Sequence, residues 1–174
     1  KGTHDIGIAG VLTMRLPKIA PALAAVLALF ATGAVVTPAV ADRDPDDVVE
    51  AIYEAYDDGD TPGILEDGRL VDLHFSARLA DLMARHRGRL QFDPVVDGQG
   101  RDLSDVDIEM KGQRGEVVVV EVQFENAGEK KRVGYALVQE DGGWRIDDIA
   151  SDGERGRWML SKLLSGEHLT GGYR

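Results

Sequence analysis

From residue 44 onward, apolar and polar positions recur with two different periods, and the change of period divides the chain. Val48, Ile52 and Tyr56 recur at i, i+4 and i+8 with Val49 and Tyr53 beside them, the stripe of an amphipathic helix. Asp44-Pro45-Asp46-Asp47 supplies its start, with Asp44 as N-cap, Pro45 at the first helical position and acids facing the positive end of the helix dipole. This helix is expected to end around Asp57 to Gly59, Thr61-Pro62-Gly63 to turn the chain, and Ile64 to Asp67 to add a short helical turn. A second helix is predicted over about Leu70 to Arg85, with Leu73, Ala77, Ala80 and Met83-Ala84 on one side, Leu79 and Leu82 flanking them, and Gly88 as the stop. Ser76 is an alternative N-cap, and a break at Phe75-Ser76 makes three N-terminal helices rather than two.

After Gly88 the period falls to two. Gln91 to Val96 reads as a short extended piece, Asp97 to Asp105 as a polar loop, and Val106 to Met110 as an alternating strand. Glu116 to Glu125 is the strongest strand, placing Val118, Val120, Val122 and Phe124 on one face. Asn126 to Glu129 turns the chain, Arg132 to Gln139 groups Val133, Tyr135 and Leu137, and Asp141-Gly142-Gly143 is a tight hairpin before the strand Trp144 to Ile149. Arg157 to Ser165, carrying Trp158, Leu160, Leu163 and Leu164, is expected as a closing helix. Helices followed by an antiparallel meander make an α+β domain, in which a curved sheet wraps the first helix and buries its stripe.

The residues before this domain follow a different logic. Arg15 and Lys18 precede an apolar run from Ala22 to Val36, Pro38 breaks it, and Ala39-Val40-Ala41 supplies small residues before Asp42. This is the three-zone order of a cleavable signal peptide over residues 14–41, cut after Ala41. The apolar run is short of the roughly 20 residues a membrane-spanning helix needs. Residues 1–13 read as an upstream extension, 42–168 as one α+β domain and 169–174 as a tail. The expected location is therefore the periplasm or the exterior, with no membrane attachment after cleavage.

Charge narrows the partners. The 174 residues carry 20 Lys and Arg against 31 Asp and Glu, a formal charge of −11. Loss of residues 1–41 removes a net +2 (Lys1, Arg15 and Lys18 against Asp5) and takes −11 to −13. Such a surface is unsuited to nucleic acid or anionic lipid, both of which require clustered basic groups. The absence of cysteine excludes disulfides, thiolate metal sites, cysteine nucleophiles and a lipidated N-terminal cysteine.

Phe75-Ser76-Ala77-Arg78-Leu79, Phe92-Asp93-Pro94-Val95-Val96-Asp97-Gly98-Gln99, Phe124-Glu125-Asn126-Ala127-Gly128-Glu129 and Val138-Gln139-Glu140-Asp141-Gly142-Gly143-Trp144-Arg145-Ile146-Asp147-Asp148-Ile149 together resemble a family of small exported bacterial proteins, domain of unknown function 3828. That family is similar to the cone-shaped folds of nuclear transport factor 2 and the cystatin-like superfamily. The resemblance spans about residues 44–165 and implies a cone with a pocket between sheet and helices, without implying any catalytic residue.

Acid–base chemistry in such a pocket requires a tuned Asp or His beside a hydroxyl donor. His74 and Asp148 with Tyr135 are the candidate catalytic set, and Tyr53 and Tyr56 the candidate ligand-binding residues; the simpler reading makes the tyrosines core and His74 a satisfied helix residue. Asp97, Asp102 and Asp105, with Asp93 and Asp107, crowd one loop and are the candidate metal ligands, but their spacing departs from an EF-hand and Asp is a common turn former. His4, His74, His86 and His168 show no zinc-binding spacing. No serine stands in a G-x-S-x-G setting, and no phosphate-binding glycine loop occurs, so no cofactor is expected. Arg85-His86-Arg87-Gly88-Arg89 is a basic cluster at a helix end, either complementing the dipole or docking an acidic partner. The leading expectation is a non-catalytic exported protein that binds a small ligand or a protein partner. The alternatives are an isomerase- or hydrolase-like acid–base enzyme using the pocket, and an interaction or inhibitor protein using its acidic surface and exposed sheet edge.

Overall fold

The structure, a computed structural model, describes residues 43–58, 61–153 and 156–167. The expected extension, signal peptide and tail lie outside the described residues. Helix α1 (Pro45–Asp57) begins as its sequence dictates: Asp44 is extended, and its N–H donates to Asp47 Oδ2 at 3.1 Å. Val48, Val49, Ile52, Tyr53 and Tyr56 are all buried along it. A turn over 63–67 follows, with Glu66 N–H and Asp67 N–H donating to Gly63 O.

The next helical region is split at Phe75-Ser76 into α2 (Arg69–His74) and α3 (Ala77–His86). Ser76 Oγ accepts from Leu79 N–H at 3.1 Å, capping α3, and itself donates to Asp147 Oδ1 at 2.6 Å. Ser76 N–H donates to Ile146 O at 2.9 Å, tying the break to the sheet. The split resets the helical phase and corrects the apolar face expected for one continuous helix. Leu73 is 54% exposed and Ala77 is exposed, while α2 buries Leu70, Val71 and His74 and α3 buries Leu79 and Met83. Arg87–Arg89 then forms a single 3-10 turn.

Five strands follow in sequential order, each antiparallel to the next: β1 (Leu103–Arg114), β2 (Val117–Asn126), β3 (Glu129–Glu140), β4 (Gly143–Ser151) and β5 (Trp158–Met159). Helix α4 (Leu160–Ser165) ends the described chain. Val118, Val120, Val122 and Phe124 of β2 face the core with Val133, Tyr135 and Leu137 of β3. Ile146 and Ile149, three residues apart, fall on opposite faces of a regular strand. A register shift between the Leu137–Ile146 and Ala136–Asp148 pairs brings both inward. The β2–β3 turn (Ala127, φ 53°; Gly128, φ 78°) and the β3–β4 turn (Asp141, φ 53°; Gly142, φ 78°) place both central residues in the left-handed region, which matches the twist of a two-residue hairpin.

Three expected boundaries shift. Strand β1 runs well beyond Val106 to Met110 in both directions, because an edge strand open to solvent tolerates polar residues and loses its alternation. Residues 91–96 are not an extended piece: Asp93 and Gly98 exchange main-chain hydrogen bonds of 2.7 and 3.3 Å across a tight loop that turns Val95 and Val96 fully inward. The closing helix starts at Leu160 rather than Arg157, since Trp158 and Met159 pair with Ser151 and Ala150 as β5. Among the described residues, no helix is long and apolar enough to cross a membrane.

Candidate functional site

The three tyrosines singled out by sequence converge. Tyr53 and Tyr56 project from α1 and Tyr135 from the middle of β3, where it pairs with Val120 on one side and Ile149 on the other. Tyr135 Oη donates to Tyr53 Oη at 3.0 Å, and Tyr53 Oη donates onward to Val95 O at 3.0 Å. Tyr56 Oη donates to Asp93 Oδ2 at 2.6 Å and accepts from Ile64 N–H at 3.0 Å, while Asp93 Oδ1 accepts from Val95 N–H at 2.9 Å. The Tyr53 ring lies 5.6 Å from Phe124 and 6.2 Å edge-on from Tyr135, and the Arg101 guanidinium sits 5.1 Å above the Tyr56 ring. Burial pushes all three phenols well above the usual range, with the Asp93 carboxylate adding to the effect at Tyr56. Burial also raises Asp93, and the hydrogen bonds from Tyr56 and Val95 offset part of that rise.

Each hydroxyl in this cluster is spent on a protein acceptor. The phenols stay protonated and donate to a main-chain carbonyl, to each other or to Asp93, so the arrangement clamps loop 92–102 over the core. The same loop is held from two further directions. Asn126 Nδ2 donates to Val96 O at 3.1 Å and Gly100 O at 3.0 Å, and its Oδ1 accepts from Asp102 N–H at 3.1 Å. Asp97, 1% exposed, accepts from Trp158 Nε1 at 3.0 Å and lies 3.4 Å from the Ser151 hydroxyl. Two glycines make the close approach possible. A Cβ on Gly63 falls 2.9 Å from Asp93 Oδ2 and 3.0 Å from Tyr56 Oη, and one on Gly98 falls 2.9 Å from Asn126 Nδ2.

The other candidates lie elsewhere. Asp148 is opposite Ala136, the neighbour of Tyr135, and so on the other face of the sheet from the tyrosines. Its Oδ1 accepts from Ser161 N–H and from Ile149 N–H, each at 3.0 Å, and Ser161 Oγ donates to Oδ2, so Asp148 caps the first turn of α4. His74 ends α2, with Nδ1 buried and unpartnered; burial first, then Arg43 and Arg145, depress its pKa from 6.5 to about 4 and hold it neutral. The structure brings neither residue to the tyrosines. Asp97 is buried against Trp158, Asp102 is exposed where the loop leaves Asn126, and Asp105 is exposed on β1 at φ 51°. Among the described residues, no three His, Asp or Glu side chains are grouped to hold a metal ion. The basic cluster is used structurally: Arg85 pairs with Asp81, and Arg89 Nη1 donates to Leu164 O at the end of α4 at 2.6 Å.

A groove of about 330 Å³ lies between α1 and the start of β1, with buried Tyr53 among its lining residues. Glu50, Glu54 and Asp57 of α1 line it on one side, and Leu103, Asp105, Val106 and Ile108 of β1 on the other. Sequence reasoning passed over this groove because its acids come from segments about fifty residues apart. Asp93, grouped by sequence with the loop aspartates as a metal candidate, instead takes Tyr56 and Val95 N–H, and Asn126, expected only as a turn residue, fixes the loop with it; the local signal for both was the Asp-Pro and Asp-Gly turn chemistry around Val95-Val96. No protein-family model, curated protein or solved structure matches this chain.

Proposed function

We propose that the protein is an exported, non-catalytic binding domain that takes a basic segment of a partner protein into the groove between α1 and β1. The observation that carries this reading is the lining of that groove: four acidic residues together with Leu103, Val106 and Ile108, a mixture suited to the cationic head and aliphatic stem of lysine or arginine. The saturated hydrogen bonding of Tyr53, Tyr56 and Tyr135 supports a binding role over acid–base chemistry, which needs a proton donor or acceptor within reach of a substrate. In this reading the sheet curves round α1 as a cone of the kind implied by the resemblance to domain of unknown function 3828. The segment 14–41 directs export to the periplasm and is cleaved after Ala41, which mass spectrometry of the secreted chain checks by a polypeptide beginning at Asp42.

Binding is tested by fluorescence anisotropy with a labelled peptide of alternating Lys and Leu, against the same peptide with Glu for Lys. The Lys peptide binds, its affinity falls as ionic strength rises, and the pair Glu50→Lys with Glu54→Lys abolishes it, while Glu116→Lys on the β1–β2 turn leaves it nearly unchanged. Equal binding of both peptides, or indifference to the groove reversal, refutes the reading.

A further inference from the structure

The sheet is open at β1. This twelve-residue strand pairs with β2 on one side, and among the described strands nothing pairs with its other side. Nearly every residue along it is exposed, including Val106 at 41% and Met110 at 55%, two of the large apolar side chains that stand out in solvent. A row of free main-chain donors and acceptors of this length is a template for another strand unless something blocks it.

The charges along β1 are ordered. Asp105, Asp107 and Glu109 precede Met110, while Lys111 and Arg114 follow it. An antiparallel partner runs in the reverse direction, so a second β1 sets its basic half against the acidic half of the first. A strand pairing with its own copy has its two-fold axis at a residue, and the register with the axis at Met110 is the favourable one. It places Glu109 opposite Lys111 twice, with Asp107 diagonal to Lys111, and brings the two exposed Met110 side chains together. Moving the axis to Glu109 or to Lys111 sets one of these charges against itself. A register shift between Met110 and Gly112 leaves Lys111 with no partner residue on β2, and a hollow of about 340 Å³ lined by Lys111, Gly112, Gln113, Arg114 and Val119 lies there. Within one chain Lys111 already meets Glu109 at 2.6 Å and the half-buried Glu121 at 3.3 Å, and surface pairs of this kind hold weakly.

We propose that two copies of this chain associate through their β1 edges, antiparallel about Met110, to form one continuous sheet. The contact uses main chain along the outer edge of β1, and so is independent of what occupies the groove against α1.

Salt screens both the local attraction and the repulsion between two strongly acidic chains, so charge exchange is the sharper test. Sedimentation equilibrium over a concentration series is run on the parent, on Glu109→Lys, on Lys111→Glu, on the double variant and on an equimolar mixture of the two single variants, with circular dichroism confirming that each is folded. The parent dimerises, and each single variant, now facing like charges, dissociates at least about tenfold more readily. The double variant and the mixture both recover the dimer, because each restores opposite charges across the axis. A parent that stays monomeric throughout, or a dimer that the four charge arrangements leave unmoved, overturns the proposal.

Discussion

Tyr56→Phe tests the idea that the tyrosine cluster clamps the loop. The change removes one oxygen from a side chain that is 3% exposed and leaves the ring to pack as before. That oxygen donates to Asp93 Oδ2 at 2.6 Å and accepts from Ile64 N–H at 3.0 Å. A hydrogen bond to a charged group contributes about 1.5–3 kcal/mol, and the stranded Ile64 N–H adds a penalty of similar order unless the turn relaxes. A loss of roughly 2–4 kcal/mol at pH 7 follows. The sign of its pH dependence is fixed by Asp93. Burial already raises this carboxyl above its unfolded value of 3.8, so folding is favoured at low pH and loses stability as pH rises through the folded value. Without the Tyr56 donor the folded value climbs further and that window widens, so the deficit of the variant shrinks on acidification. Urea unfolding followed by tryptophan fluorescence at a series of pH values measures both quantities. A deficit below about 1 kcal/mol at pH 7, or one that does not shrink towards pH 4, refutes the clamp.

Three further outcomes are expected. Gly63→Ala forces a Cβ to within 2.9 Å of Asp93 Oδ2 and costs about 1–3 kcal/mol, whereas Gly100→Ala, with nothing within 4 Å, is close to neutral; thermal melts compare the two. Asn126→Ala removes the donors to Val96 O and Gly100 O and is expected to cost about 2 kcal/mol, with limited proteolysis cutting first within 96–102. His74→Leu removes a group whose pKa falls from 6.5 to about 4 on folding, so the parent loses stability as pH drops from 6.5 towards 4 and the variant does not. The difference between their unfolding free energies grows across that window towards a ceiling of about 3 kcal/mol, and parallel pH curves refute it.

What the sequence made legible is what local chemistry determines. The Asp44-Pro45 start, the i, i+4, i+8 stripe of α1, the alternation of β2 and the Asp141-Gly142 hairpin each follow from residues within a few positions of one another. Ser76 was readable as a cap, but whether it broke the helix depended on Ile146 and Asp147, seventy residues on. Strand β5 was illegible because Trp158 and Met159 suit a helix equally well, and only Ser151 and Asp97 make them a strand end. The convergence of the tyrosines was expected in outline, but their partners were not. Tyr56 finds Asp93 and Tyr53 finds Val95 across some forty residues, and no spacing rule connects them. The partners of Asp148 were illegible for the same reason: Ser161, whose N–H it accepts, belongs to a helix whose start the periodicity misplaced.

Loop 92–102 takes a side chain from α1, from β2 and from β5, over sequence separations of 42, 30 and 61 residues. A chain that emerges N-terminus first delivers those partners in order, and Trp158 arrives last. Until it does, Asp97 lacks the indole that meets it in the buried site, and Val95-Val96 have no settled lid to join. The loop thus closes fully only when β5 is in place, and a chain cut short after β4 lacks the Trp158 indole together with the buried Leu160 and Leu164 of α4.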